Sequence, residues 1–309
     1  MKLEKFSQPQ IPEKHFGVKN PESLKLKKLE LIKRELALLK DAGIEIESDE
    51  KLRIADLPFL AEIKSKLEMG AKPEEQKQIK ILIVSAKNWA EKMKQLGSDK
   101  QFTGQAWAET TNADQLSIIL PSSDVFKEET PYKKAYSHSP AMSRLIAEDP
   151  KSAHQNIFLR NILAHEMAHL YQKSDNYEGA PETAEGIDPY EDLQEFMSCT
   201  YGLQAMQLDQ TSRTKYLPAF LEANQMAIDS KAGGYVQKQA ERTVKANEFL
   251  SQFDNQSIDF ETTFVQMNQI CQAGGLKKKS LQEAVRQLTS AKITKETFSQ
   301  FIKRVAEFK

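Results

Sequence analysis

Two histidines and a glutamate in this chain stand at a spacing that can bind a metal ion. His165, Glu166 and His169 form the pattern His-Glu-x-x-His within residues 161–172. On a helix, residues four apart lie one turn above each other on the same face, so both imidazoles can reach one ion. Glu166 then projects beside them, towards a water molecule bound to that ion. The spacing therefore predicts a zinc hydrolase with His165 and His169 as ligands.

The residues around this motif predict a buried helix over about 153–173, which we call the metal helix for its expected ligands, with Ser152 as its N-terminal cap. Burying two imidazoles and a carboxylate is costly unless each group is satisfied, and one zinc ion would satisfy all of them. A helix that is apolar nearly all round is buried. The apolar side chains that surround this one are Phe158, Leu159, Ile162, Leu163, Ala164, Met167, Ala168 and Leu170.

The third ligand must be a carboxylate, because zinc hydrolases usually have three protein ligands and no histidine follows His169. Residues 174–212 contain nine acids and no Lys or Arg, which concentrates negative potential where a cation would bind. Pro189 begins a predicted helix, which we call the glutamate helix, in which Glu191 and Glu195 share a face. We predict Glu195 as the third ligand and Glu191 as the residue that bonds a ligand imidazole. The alternative for the pair is a solvated acidic face, and the substitute ligands are Glu185, Asp188 and Asp192.

The remaining faces of the predicted glutamate helix also have expected roles. Ser198 and Gly202 continue the face of Glu195, and these small residues would let the helix approach the metal helix closely. The core-facing residues are predicted to be Leu193, Phe196, Met197 and Thr200.

The two motifs together resemble a known clan. The segment from His165 to His169, followed by an acidic helix with Glu191, Glu195 and Phe196, looks like the gluzincin metallopeptidases. The second segment is similar to the E-x-x-x-E-x-F pattern of the lethal-factor-like branch of that clan. The resemblance covers residues 103–205. It implies a zincin-like core and a zinc-dependent endopeptidase that binds one zinc ion.

The resemblance also implies how the residues would act. Zinc would lower the pKa of a bound water and polarise the peptide carbonyl. Glu166 would be the general base, which takes the proton of the water and later delivers it to the leaving amine. The clan often uses Tyr or His to stabilise the oxyanion. Tyr190 and Tyr177 lie between the two motifs and are the candidates, although each could equally be a buried aromatic; Tyr201 is a weaker one.

Two segments before the metal helix could line a cleft. Residues 105–110 and 115–120 predict a hairpin, whose edge strand could pair with an extended peptide or be purely structural. Residues 127–150 are polar and interrupted by prolines, which predicts a loop. His138 and His154 lie in or near this loop, and lone histidines such as these are more often structural than in contact with a metal or a substrate.

The chain as a whole is expected to be α+β and predominantly α. We predict an arm over residues 1–20, a helical region over 21–100, the catalytic core over 101–212 and a helical lobe over 213–309. Helices are expected to cover 21–43, 57–69, 73–96, 216–231, 235–253, 258–272, 280–290 and 294–308.

Composition excludes several classes of protein. The net charge of −1 predicts neither nucleic-acid nor membrane-surface binding, and no apolar run is long enough to span a membrane. Cys199 and Cys271 are too few for a disulfide framework. The N-terminus lacks the apolar core of a cleavable signal peptide, so we expect a cytoplasmic protein where it is made, with export as a bacterial effector by another signal left open.

The expected partner is a protein or peptide substrate, and the oligomeric state stays open. Two rival functions also remain. One is a zincin-fold interaction protein or secreted effector in which zinc is structural; the retention of Glu166 argues against it, because a structural site needs no general base. The other is a metal hydrolase that acts on a non-peptide amide.

Overall fold

The structure is a computed structural model of the chain. It describes Glu30, Arg34 and residues 37–50, 58–68, 76–97, 101–102, 106–112, 115–172, 189–231, 233–252, 287–288 and 293–306. Predicted features over residues 1–29, 98–100, 173–188 and 253–286 lie outside these ranges. They include the N-terminal arm and the helices expected over 258–272 and over most of 280–290.

A four-stranded mixed sheet lies at the centre of the described fold. The strands are β1 (Ile44–Ser48), β2 (Gln78–Val84), β3 (Trp107–Asn112) and β4 (Gln115–Pro121). Their order across the sheet is β1-β2-β4-β3, in which β1, β2 and β4 run parallel and β3 is antiparallel to β4. The predicted hairpin is confirmed as β3 and β4, and β3 is the edge strand of the sheet.

The helix predicted over 73–96 is wrong, because β2 occupies its first half. A parallel strand covered on both faces has a nearly continuous apolar sequence, which helical spacing fits equally well. The side chains of β2 alternate: Ile81 and Ile83 join the larger core, whereas Leu82 joins a smaller core with Trp89. Within residues 76–96, the part of this range that the structure describes, the helical segment is Trp89–Gln95 (α2), on the face of the smaller core. Strand β1 is also absent from the predicted elements.

The loop predicted over 127–150 is wrong as well. Each proline in it begins a short helix, because the fixed φ and missing N–H of proline suit the first helical turn. A side chain before each proline caps the helix by accepting a main-chain N–H bond. These caps are Thr130, Ser139 and Asp149, and the helices are α3 (Pro131–Ser137), α4 (Pro140–Glu148) and α5 (Pro150–His154).

The metal helix is the last part of a longer helical run that begins at Pro150. After α5 the backbone widens into a π-helix over Gln155–Ile162 and returns to an α-helix, α6, over Leu163–Gln172. Ser152 is therefore inside the run, and Asp149 caps it in its place. The predicted burial is confirmed, since Phe158, Leu163, Met167 and Leu170 are among its fully covered residues.

The glutamate helix packs between the metal helix and the C-terminal helices. It extends over Pro189–Gln207 (α7) and contacts both α6 and the later helix over Gly234–Leu250. The core-facing residues predicted for it are confirmed, because Leu193, Phe196, Met197 and Thr200 are all buried. The remaining helices are α1 (Pro58–Leu67), α8 (Leu217–Asp229), α9 (Gly234–Leu250) and α10 (Lys295–Ala306).

The described chain is thus a predominantly helical α+β fold, as predicted. The larger core joins one face of the sheet to α1, α6 and α7. Metal helix α6 also packs against β3 and β4, which brings the edge strand close to the histidine motif. Among the described helices, none combines the length and the apolar character that crossing a bilayer requires.

Candidate metal centre

Three side chains from two helices converge at one point. His165 and His169 lie one turn apart on α6, and Glu195 faces them from α7. The two Nε2 atoms are 3.0 Å apart. The Glu195 carboxylate lies 3.4 Å from His165 Nε2 through Oε2 and 3.3 Å from His169 Nε2 through Oε1. The sequence placed these three residues in one cluster, and the geometry brings them together.

The separations suit a small divalent cation. Donors about 2.0–2.1 Å from a tetrahedral zinc ion are about 3.3–3.4 Å from each other, close to the observed distances. Within the described residues, these three are the group of His, Cys, Asp and Glu side chains whose ligand atoms come near enough to hold a metal. Two imidazoles and one carboxylate are also a donor set that zinc hydrolases use.

One atom of the cluster is left without a hydrogen bond. Glu195 Oε2 is buried and has no hydrogen-bond partner. The three side chains are only 12 to 17% exposed, so little solvent reaches them. A buried carboxylate oxygen without a partner is costly. A cation between the three side chains would remove that cost, and the residues present therefore fit a metal ion.

The electrostatics of the cluster also favour added positive charge. Burial alone would raise the pKa of Glu195, but the nearby imidazoles of His165 and His169 lower it far below its usual range. Burial alone would lower the pKa of His165, but the neighbouring Cys199 and Glu195 side chains raise it well above its usual value. The carboxylate thus stays ionised, and the cluster attracts a proton or a metal cation.

Two consecutive residues of α7 bond the two imidazoles. Ser198 Oγ lies 3.3 Å from His169 Nδ1, and the thiol of Cys199 interacts with the His165 ring. We predicted Glu191 for such a role, but its side chain lies outside what the structure describes. The available signal was helical spacing, since Ser198 and Cys199 follow Glu195 by three and four residues and so share its side of the helix.

A glycine lets the two helices meet. A Cβ atom at Gly202 would lie 2.8 Å from the main-chain oxygen of Asn161, which is too close for a real side chain. Asn161 belongs to the π-helix just before the metal helix. The close approach predicted for Gly202 is therefore confirmed, and it holds α7 against the base of α6.

The other predicted site residues have mixed outcomes. Glu166 follows His165 on α6 and is partly buried, and its role as a base stays a prediction. Tyr177 and the substitute ligands Glu185 and Asp188 lie outside the described residues, as do the side chains of Tyr190 and of the third substitute, Asp192. The weaker candidate Tyr201 is a buried core residue.

The two lone histidines stand apart from the cluster. His154 is buried, with Nε2 at 2.7 Å from the Pro121 carbonyl oxygen and Nδ1 at 3.4 Å from Glu50. His138 is exposed and ends α3. Neither belongs to the described group that could hold a metal.

Comparison with known proteins adds no assignment. No family model, no curated protein and no solved structure matches this chain.

Proposed function

We propose that this chain is a zinc-dependent metallopeptidase of the gluzincin type, with a zincin-like core. The observation that carries the proposal is the convergence of His165, His169 and Glu195, with the buried Oε2 of Glu195 left without a hydrogen bond. Glu166, beside the first histidine, adds the general base that hydrolysis needs and that a structural zinc site does not need.

Each residue of the motif has a role in this proposal. A zinc ion bound at the site would polarise the carbonyl of the scissile bond and activate a water molecule. His165, His169 and Glu195 hold the ion. Glu166 accepts the proton of the attacking water and passes it to the leaving amine. Tyr190 and Tyr177 remain the candidates for a donor to the oxyanion.

The edge strand supports a peptide as the substrate. β3 is the last strand of the sheet, so within the described residues one of its edges pairs with no other strand. It also contacts α6, the helix that carries the two histidines. An extended peptide that adds to this edge by main-chain hydrogen bonds would run beside the site. A non-peptide amide would make no use of such an edge.

The test compares Glu166→Gln with the wild-type protein and with Glu148→Gln. The control makes the same chemical change at an exposed residue of α4. Zinc content and cleavage of a peptide library are measured with and without a chelator. We expect the wild-type protein and the control to bind zinc and to cleave. Glu166→Gln should keep its zinc and cleave about 10²–10⁴-fold more slowly.

The other outcomes separate the rival functions. Stoichiometric zinc without any chelator-sensitive cleavage would favour an interaction protein with structural zinc. An uncut peptide library together with chelator-sensitive hydrolysis of small amides would favour a non-peptide substrate. Cleavage by Glu166→Gln at the wild-type rate would remove Glu166 from the mechanism.

A further inference from the structure

Cys199 connects the metal centre to a helix that carries none of its ligands. The thiol is buried on α7, one turn after Glu195 and on the same side of the helix, where it interacts with the His165 ring. On its other side it meets α9, where Gln239 Nε2 donates to Cys199 Sγ at 3.3 Å and the Thr243 hydroxyl lies 3.8 Å from the same sulfur. The sulfur therefore has polar contacts on two sides, which a cysteine that only fills space would not need.

The side chain of Arg242 fixes which way the Gln239 amide points. Arg242 Nη1 donates to Gln239 Oε1 at 3.4 Å. A guanidinium can only donate hydrogen bonds, so the amide oxygen must face Arg242. The amide NH₂ is then the group that faces Cys199, and it can only donate. The orientation of Gln239 thus makes the sulfur an acceptor.

The remaining protons can be assigned in the same way. Thr243 has one hydroxyl proton, and the shorter contact of this hydroxyl is with the main-chain carbonyl oxygen of Gln239 at 2.9 Å. The thiol proton is then the one available for the contact between Cys199 and Thr243. His165 Nε2 already faces His169 and Glu195. The ring nitrogen left for the sulfur is Nδ1, whose N–H can donate to a lone pair of Cys199.

We propose that Cys199 positions His165 for metal binding, and that Gln239 and Arg242 hold Cys199 in place. This inference rests on the metal centre of the proposed function. An Nδ1–H that is held by the sulfur leaves the lone pair of Nε2 free to face the ion and fixes the ring orientation. Ser198 has the matching position beside His169 Nδ1. Helix α9 is by this account part of the metal site, although it supplies no ligand.

The experiment measures zinc affinity by competition with a chromophoric chelator, and the visible absorption spectrum of the Co²⁺-loaded protein. The variants are Cys199→Ala, Cys199→Ser and Gln239→Leu. Gln237→Leu is the control, because it also removes a glutamine amide from α9. That amide bonds Glu241 and not the sulfur. Thermal unfolding of the metal-free proteins checks that each variant is folded.

We expect Cys199→Ala to bind zinc about 10–100-fold more weakly, as is usual when a partner of a ligand histidine is removed. Gln239→Leu should lose affinity in the same direction but by less. Both should shift the Co²⁺ spectrum, because the ligand geometry changes, and Gln237→Leu should match the wild-type protein. Cys199→Ser should recover part of the affinity, since its hydroxyl can also accept the Nδ1–H.

The contrary outcomes are distinct. The positioning role alone would be overturned if Cys199→Ala bound zinc within about three-fold of wild type and its Co²⁺ spectrum were unchanged. Such a loss of affinity is smaller than the loss usually seen when a partner of a ligand histidine is removed. Should Cys199→Ala fail to fold, Gln239→Leu decides, and an unchanged affinity and spectrum there overturn the proposal. A wild-type protein that binds neither Zn²⁺ nor Co²⁺ would overturn the metal centre together with it.

Discussion

One helical run carries histidines in two contrasting environments. Near its start, His154 Nε2 bonds the Pro121 carbonyl oxygen, Nδ1 lies 3.4 Å from Glu50, and the ring stacks on Phe158. Near its end, the Nε2 atoms of His165 and His169 face each other. Both environments are largely buried, so burial alone does not distinguish them.

The difference lies in how donors and acceptors balance. Around His154 the neighbouring acceptors have donors within the protein. The Pro121 oxygen faces His154 Nε2, and the Glu50 carboxylate accepts hydrogen bonds from the main-chain N–H and the hydroxyl of Ser123. This group is closed. Around His165 and His169 two imidazole nitrogens and a carboxylate converge, and Glu195 Oε2 has no hydrogen bond. A cluster with more acceptors than donors requires a cation, whether a proton or a metal ion. A closed histidine is structural, and an open cluster is a candidate site.

Removing one member of the open cluster should have the largest of the expected effects, and the quantity affected is zinc affinity. In His169→Ala we expect zinc affinity to fall by more than about 100-fold, beyond the loss seen when only a partner of a ligand is removed. The measurement is competition with a chromophoric chelator, with His138→Ala, at the exposed end of α3, as the control. Retention of stoichiometric zinc at wild-type affinity in His169→Ala would break the contrast.

Much of the helical fold was predictable, because long periodic segments determine their own structure. The buried metal helix, the glutamate helix and the C-terminal helices α8 and α9 follow from apolar spacing. Strand β2 did not, since a strand covered on both faces and a buried helix have the same composition. The helices at Pro131, Pro140 and Pro150 were missed because a proline both ends one helix and begins another.

The candidate site also has features that could be predicted from the sequence and features that could not. The proximity of Glu195 to the two histidines could be predicted, because the lack of any later histidine and the acidic block leave few choices; zinc binding itself stays a prediction. The contacts of Cys199 with Gln239 and Thr243 could not, since they join residues about 40 positions apart in different helices. Only tertiary packing places α9 behind α7.

A change at the closed histidine should affect stability and leave metal binding intact. His154→Phe keeps a ring against Phe158 but removes the 2.7 Å hydrogen bond to the Pro121 oxygen. We expect the free energy of unfolding to fall by roughly 1–3 kcal/mol, as for a buried group that loses its partner. Urea unfolding measures this, and zinc affinity should equal that of the wild-type protein. A loss of zinc affinity with unchanged stability would reverse the assignment.

The smallest effect is expected in the pH dependence of the stability of the metal-free protein. The two histidine environments should change the free energy of unfolding with pH in opposite directions. Burial lowers the pKa of His154, so the unfolded chain takes up a proton before the folded one does and stability falls as the pH drops below about 6.5. The pKa of His165 is raised, so its contribution is present below about 6.5 and is lost as the pH rises through the folded pKa.

Urea midpoints from acid to mildly alkaline pH should therefore pass through a maximum near the ordinary histidine pKa. Each slope can reach at most about 1.4 kcal/mol per pH unit for one proton. His154→Phe should flatten the acid side, and His165→Ala should flatten the alkaline side. Saturating zinc should also remove the alkaline decline, because the ion then replaces the proton of His165. A single variant that flattens both sides would mean that the two histidines titrate as one group and that the contrast between them is mistaken.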